Sequence, residues 1–330
     1  MVLALAILSV LLPFITFENK IKEENFPESY IPYLRTLSKK YPYWDFEAYH
    51  TGLQWSEVIV EEMTLGRNLV ENNHPNVPNS WKSIQEGAYD WEKNNWISLS
   101  GDKYVQASRE VIRYFIDPRN FLNEENIFQF ESLSYTDTQS INVIETILQG
   151  SFMDGKEIEN GITYAKAFLE IGKKNNISPY LLVNRVLQEQ SHAGTSPLIS
   201  GNYSGYEGYY NYFNIKASGE TQNEVIENGL IKAKEEGWNT IYKSLEGGAV
   251  FLAENYISKG QDTLYLQKFD VESDNHGLYW HQYMQALYGA YNEGNTAGRA
   301  YDELNIKNRR FKFKIPVYEN MPEFACEKPV

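Results

Sequence analysis

A carboxylate on the apolar side of a short helix is an unusual placement, and the stretch SPYLLVNRVLQEQSHAG holds one at Glu189. With Ser178 as N-cap and Pro179 at the first helical position, the pattern predicts a helix over Pro179 to Gln190. Leu182, Val186 and Glu189 then follow one another at spacings of four and three, which puts the carboxylate on the face of two core aliphatics. The helix should end by His192-Ala193-Gly194, placing the carboxylate near its negative end. Desolvation and the helix dipole both favour the neutral acid, the form that can protonate a glycosidic oxygen. Glu189 also lies four residues after Arg185, and a surface ion pair is the alternative reading of the same spacing.

Other chemistries find less support. The single cysteine, Cys326, rules out an internal disulfide, a cysteine-rich zinc site and a redox pair, and its place near the end of the sequence suits a bystander better than a nucleophile. The five histidines contain no HExxH pattern, and His276 and His281 are five apart, so they do not share a helix face. No metal and no cofactor are expected. No GxSxG elbow is present, which disfavours a serine hydrolase. A net charge of −14, from 44 acidic and 30 basic residues, leaves no broad cationic field for nucleic acid. Aromatic residues make up 15% of the chain, 25 of them tyrosines, and rings with a polar tip suit a wet, elongated groove in which sugar faces stack.

The elements that must position Glu189 can be read in outline. The first seventeen residues are apolar apart from Ser9 and Thr16, and predict a signal peptide or a retained membrane anchor over 1–17. Phe26 to Val60 suggests a short strand and then a helix beginning near Trp55. Residues 64–104, with Trp81, Trp91 and Trp96, have little periodicity and look like a long ordered loop. Helical patterning returns from Lys103, breaks at Asp117-Pro118, and recurs around Val143 to Leu148. GSFMDG, 150–155, reads as a linker, giving an N-terminal helical lobe with its loop over 18–153 and a second lobe over 154–330. In the second lobe Tyr164 to Lys174 and Ser178 to Gln190 form a helix pair. Lys243 to Ile257 and HGLYWHQYMQALYGAYN are further helices, and FKFKIPVYE alternates as a strand. The chain is therefore mainly α, with a small β element expected beside the glutamate.

After the helix ending RVLQEQS come the blocks GYEGYYNYFNI, GWNTIYKSLEGGAVFLAENYISKGQDTLYLQKF and HQYMQAL, in that order. This series resembles glycoside hydrolase family 73, the bacterial N-acetylglucosaminidases that cut peptidoglycan, and is most similar to their clostridial and staphylococcal autolysin branch. FPESYIPYLRTLSKKYPYWDFEAYHTGLQW and DPRNFLNEENIFQFESLSY resemble the region that precedes the catalytic lobe in those enzymes, so the likeness covers most of the chain. The resemblance implies a lysozyme-like, two-lobed helical fold with a groove for the glycan strand. It implies Glu189 as general acid, cleavage of the β-1,4 bond between N-acetylglucosamine and N-acetylmuramic acid, and action outside the cell, at the wall or the outer face of the membrane. For the second catalytic group, Glu207, flanked by glycines in GYEGYY, and Tyr242, at the family's active-site tyrosine, are the candidates. A loop carboxylate bonded to its own backbone is the other reading of Glu207, and participation by the substrate's acetamido group is a further route. Glu220 and Glu224 look like a solvated charge run. Tyr206, Tyr209, Tyr210, Phe213 and Asn214 are the candidate sugar-binding residues, with Phe213 also readable as core.

Two competing functions remain. A lytic transglycosylase would use the same lone glutamate and yield an anhydro-muramic product, against which the YEGYYNYFNI block argues. A non-catalytic peptidoglycan-binding surface protein would keep the aromatic groove, and the retained Glu189 argues against it, since fold alone does not establish activity. The acidic body gives no general attraction to an anionic wall, so retention by 1–17 is the expected way of staying near the substrate. The basic run Lys307, Arg309, Arg310, Lys312 and Lys314 reads as a solvated strand edge.

Overall fold

The computed structural model describes residues 17–159, 161–272 and 277–330. Almost all of the expected signal or anchor segment lies outside them. Among the described residues no helix is long and apolar enough to cross a membrane. The chain forms two compact units, one built from the residues up to Ser132 together with Thr263–Val330, the other from Leu133–Asp262. The boundary expected at 153/154 therefore falls inside the second unit. The reason is a long-range strand pairing that local pattern does not encode.

In the first unit that pairing is parallel, between the strand Asp45–Gln54 and the strand Lys312–Glu319, in register from Asp45 opposite Lys312 to His50 opposite Val317. The period-two pattern of FKFKIPVYE is the legible half of it. Phe46 and Phe313 stack across the pair at 6.0 Å, and Trp44 lies 4.9 Å from the Phe313 ring. A helix Ile31–Lys40 precedes the first strand, and the helix Trp55–Glu62 starts at the tryptophan where the sequence places it.

Residues 64–104 are more regular than the expected loop. Strands Leu69–Glu71, Ser98–Ser100 and Tyr104–Gln106 form an antiparallel sheet, and Tyr89–Asp90 pairs with Asn95–Trp96. Strands of two or three residues are too short to carry a period. The helix Arg109–Ile116, capped by Ser108, stops at Asp117-Pro118 as expected. The predicted helix in HGLYWHQYMQALYGAYN is displaced: residues 277–288 are largely turns, and the helix runs Gly289–Glu303. Its glycines explain the shift, because a Cβ on Gly294 would stand 2.5 Å from the backbone nitrogen of Gln129. Only a side-chain-free face lets the helix approach the turn Ile127–Phe130.

Two buried polar groups bind this unit together. Arg119 Nη2 lies 2.7 Å from Asp117 Oδ2 with both side chains out of water. Nη1 donates to the carbonyls of Pro322 and Glu323 and Nη2 also to that of Phe324, while Asp117 accepts from the Cys326 amide. The segment 322–326 is thus held by its backbone. Burial pushes the Cys326 thiol up to about 11, in keeping with a bystander. Elsewhere Lys268 Nζ donates to Asn68 and Gln282, whose amides donate to the Glu62 carboxylate, and burial lowers the Lys268 pKa to about 8.

The second unit contains the helices Ile141–Leu148, Tyr164–Lys174, Pro179–Gln190, Gln222–Glu235 and Ile241–Asn255, with a small hairpin of Glu157–Glu159 and Ile162–Thr163. GSFMDG is a set of turns within it, with Ser151 and Met153 buried, and not a linker. The unexpected helix Gln222–Glu235 opens on a capping box: Glu224 accepts from the amides of Glu220 and Thr221, and its own amide donates to Thr221 Oγ1. The apparent charge run at Glu220 and Glu224 is a helix start. The unit's two ends meet, the Leu133 amide donating to the Asp262 carbonyl at 2.8 Å.

Candidate active site

Ser178 accepts from the Leu181 amide and Pro179 takes the first turn, so the helix Pro179–Gln190 begins where the sequence places it. Leu182 and Val186 are buried and Glu189, on their face, is half-buried. Ser191 leaves the helix with φ +58, so the carboxylate belongs to the last turn. The alternative ion pair is not made: the Arg185 guanidinium donates to Gln188 Oε1, and no ion pair joins it to Glu189 among the described residues.

The partner of Glu189 is Asn214. Its Nδ2 donates to Glu189 Oε2 at 2.9 Å and to the Glu189 carbonyl at 3.2 Å. Its Oδ1 accepts from the Gln190 side-chain amide at 2.7 Å, and that amide also donates to the Tyr212 carbonyl. Gln190 is 3% exposed, so this amide locks the loop to the helix end with little competition from water. Asn214 adopts φ +51, the left-handed conformation that asparagine tolerates better than most residues. The segment NYFNIKA beside the glutamate, where a small β element is expected, is accordingly a turn, with Lys216 also at positive φ.

The loop is fixed from behind. Asn211, fully buried, donates to the carbonyls of Ile215 and Gly229 and accepts from the Ile215 amide. The Tyr212 amide donates to Ser244 Oγ on the helix Ile241–Asn255, and the Tyr212 and Tyr164 hydroxyls meet at 2.6 Å. Gly247 and Gly248 make room for the aromatic rings on that helix. A Cβ on Gly248 would stand 1.9 Å from the Phe213 ring and one on Gly247 2.1 Å from the Trp238 indole.

Of the other sequence-predicted residues, Phe213 is buried against Gly248 and holds the loop in place. Tyr209 and Tyr210 are half-buried in the same loop, the Tyr210 hydroxyl lying against Gly201. Tyr206 is half-buried on a small cluster of Leu198, Ile226 and Leu230, with Lys234 over its ring at 5.8 Å. Glu207 is exposed, and its Oε1 accepts from the Gly205 amide; backbone amides hold its carboxyl below the usual range, so it is an anion at neutral pH. Tyr242 lies in the first turn of the helix Ile241–Asn255, behind the Thr240 cap. Desolvation and the neighbouring charges of Glu246, Glu170 and Glu159 keep its phenol protonated. Among the described residues no cluster of His, Cys, Asp and Glu is arranged to hold a metal ion.

Gln190 and Ser244 were not singled out by sequence reasoning, although both contact the loop through hydrogen bonds. Their signal was available only in part: the glutamine follows the candidate acid directly, and the serine precedes the paired glycines.

A beta-N-acetylglucosaminidase of Bacillus subtilis (strain 168) is 28% identical over 256 residues, covering 76% of this chain and 27% of that protein. The chain is similar in sequence to an N-acetylglucosaminidase. A bifunctional autolysin of Staphylococcus aureus (strain MSSA476) is 25% identical over 270 residues, covering 79% of this chain and 20% of the relative. The chain thus spans about a quarter or less of the length of these curated relatives. No protein-family profile matches it. Among solved structures, Staphylococcus aureus glucosaminidase B superposes with a TM-score of 0.60 at 22% identity, over 84% of this chain and 94% of that one. A major bifunctional autolysin gives 0.59 at 21%, over 83% and 98%. At that identity the structural likeness establishes the fold, which is mainly helical with small β elements. The resemblance to the N-acetylglucosaminidases, read from the sequence, stands.

Proposed function

We propose that this chain is a peptidoglycan hydrolase that cleaves the β-1,4 bond between N-acetylglucosamine and N-acetylmuramic acid, with Glu189 as general acid. One observation carries the reading: in a chain similar in sequence to an N-acetylglucosaminidase, a half-buried carboxyl at a helix end is gripped by Asn214 and leaves Arg185 unpaired with it. Asn214 donates to Oε2, and Oε1 is the oxygen proposed to deliver the proton to the leaving group. Proton transfer to the glycosidic oxygen accompanies cleavage of the anomeric carbon–oxygen bond, and water supplies the oxygen that ends on the new reducing N-acetylglucosamine.

Glu207, held as an anion, is the carboxylate proposed to deprotonate that water or to stabilise the positive charge at the anomeric centre. Tyr242, held as a phenol, is proposed to donate to the substrate's acetamido group or to the water. Tyr206, Tyr209 and Tyr210 present half-buried rings on which sugar faces can stack, and Phe213 and Asn214 keep that loop in place. A lysozyme-like arrangement of helices around Glu189, and action at the cell wall outside the cell, belong to the same proposal. Attachment through 1–17 is part of the same proposal, since a net charge of −14 gives no general attraction to an anionic wall.

The test is mass spectrometry of reduced muropeptides after incubation with the wild type, Glu189→Gln and Glu207→Gln. Fragments ending in reduced N-acetylglucosamine with the wild type and none with Glu189→Gln are expected. Glu207→Gln should lower kcat by about 100-fold or more, the usual contribution of a catalytic acid or base. Anhydro-muramic ends would replace hydrolysis by transglycosylation, and intact glycan with the wild type would leave a wall-binding protein.

A further inference from the structure

In the first unit an open cavity of about 870 Å³ is walled by aromatic rings, among them Trp81, Tyr114, Tyr288 and Tyr291. Two carboxylates, Glu71 and Glu293, line it, and Glu71 accepts from the Tyr104 hydroxyl at 3.2 Å. The Trp81 and Tyr114 rings each take a cation over them, and together with carboxylates in the lining they form a site for an organic cation. One such cation is already there. Lys328 Nζ lies 5.0 Å from the Trp81 ring centroid and 6.0 Å from that of Tyr114. Its delivery is built into the fold: Arg119 and Asp117 hold 322–326 by the backbone, Asn120 donates to the Cys326 carbonyl, and the Trp81 indole donates to the Pro329 carbonyl at 3.0 Å.

We propose that this cavity is a binding site for a primary alkylammonium group on a peptide, and that Lys328 occupies it as an internal competitor. The aromatic faces attract the cation, the carboxylates add charge complementarity, and the rings offer apolar surface to the alkyl stem. An exposed lysine tethered beside its own site lowers the apparent affinity for any other amine by the fraction of time it is bound. The source of the amine rests on the function proposed above: the stem peptide of peptidoglycan carries free amino groups next to the glycan the enzyme would cut. Amine binding itself does not depend on that reading.

The experiment measures, by calorimetry or chemical-shift titration of the full chain, the binding of Nα-acetyl-lysine methylamide and of its Nε-acetylated counterpart. Wild type, Lys328→Ala and Glu71→Gln are compared at low salt. The free amine should bind, and the Nε-acetylated probe should bind at least about 10-fold more weakly, since acetylation removes the charge. Lys328→Ala should tighten binding of the free amine about threefold or more, and Glu71→Gln should weaken it. Equal binding of the two probes, no binding at all, or unchanged or weaker binding in Lys328→Ala would overturn the proposal. Lys328 is exposed and the segment before it is held through Arg119 and Asp117, so this variant should fold normally. Muropeptide release by the same preparation reads the functional proposal separately: hydrolysis without amine selectivity sinks this inference alone, and amine selectivity without hydrolysis sinks the other.

Discussion

Glu131 should make the stability of the first unit fall as pH rises, and Glu131→Gln should remove most of that dependence. The side chain is buried beside the strand Lys312–Glu319 and accepts one long bond, 3.4 Å, from the Tyr301 hydroxyl. Burial, only partly offset by that bond, pushes its pKa up to about 8 from an ordinary value of 4.5. Between those two values the folded chain keeps a proton that the unfolded chain has released. Its contribution is therefore fully present below about pH 4.5 and is lost as pH rises to about 8. One pH unit in this window is worth about 1.4 kcal/mol, so pH 5 to pH 8 amounts to about 4 kcal/mol at most. Relaxation around the buried group should reduce this to about 2 kcal/mol. Six of the seven tryptophans lie in the first unit, so urea unfolding followed by tryptophan fluorescence reports on it. Glutamine is nearly isosteric and can still accept from Tyr301. Between pH 5 and 8 the wild type should lose about 2 to 4 kcal/mol more than Glu131→Gln. Parallel pH profiles for the two proteins would refute the burial argument.

Other consequences can be checked in the same proteins. Asn214→Gly keeps the left-handed backbone but deletes the donor to Glu189 Oε2, and should lower kcat on glycan strands about 10- to 100-fold with little change in KM; unchanged kcat would mean that the bond does not orient the acid. Gly248→Ala drives a methyl into the Phe213 ring and should cost about 1 to 3 kcal/mol in calorimetry while lowering activity through the displaced loop. Asp117→Asn leaves Arg119 buried without its counter-charge and should cost about 3 kcal/mol, read by the same tryptophan fluorescence.

The helix of Glu189 was legible because its start is written in a serine and a proline and its face in a local spacing. Its grip by Asn214 was not, because the contact spans 25 residues and depends on a left-handed turn that asparagine permits but does not demand. The helix Gln222–Glu235 had a local signal, Thr221 and Glu224 three apart, that was obscured by the surrounding charges. The short strands between 64 and 104 had none, since two or three residues cannot establish a period. The two-unit division was hidden for another reason: strand pairing from Asp45 to Lys312 is a property of the closed fold, and the alternation of the later strand says nothing about which partner it takes.

That pairing also bears on the order in which the chain folds. The strand Asp45–Gln54 emerges from the ribosome long before Lys312–Glu319, and the second unit is synthesised whole in between. Left as flexible chain, the 130 residues of Leu133–Asp262 would charge the closing of the parallel pair about 4 kcal/mol of loop entropy. The hydrogen bond from the Leu133 amide to the Asp262 carbonyl changes this, because it brings the two ends of the insertion together. Once the second unit has folded, the first meets only a short connection where that long segment was. The part of the chain that carries Glu189 would then act as an internal template, folding during synthesis and shortening the search that the flanking segments must complete after the last strand is released.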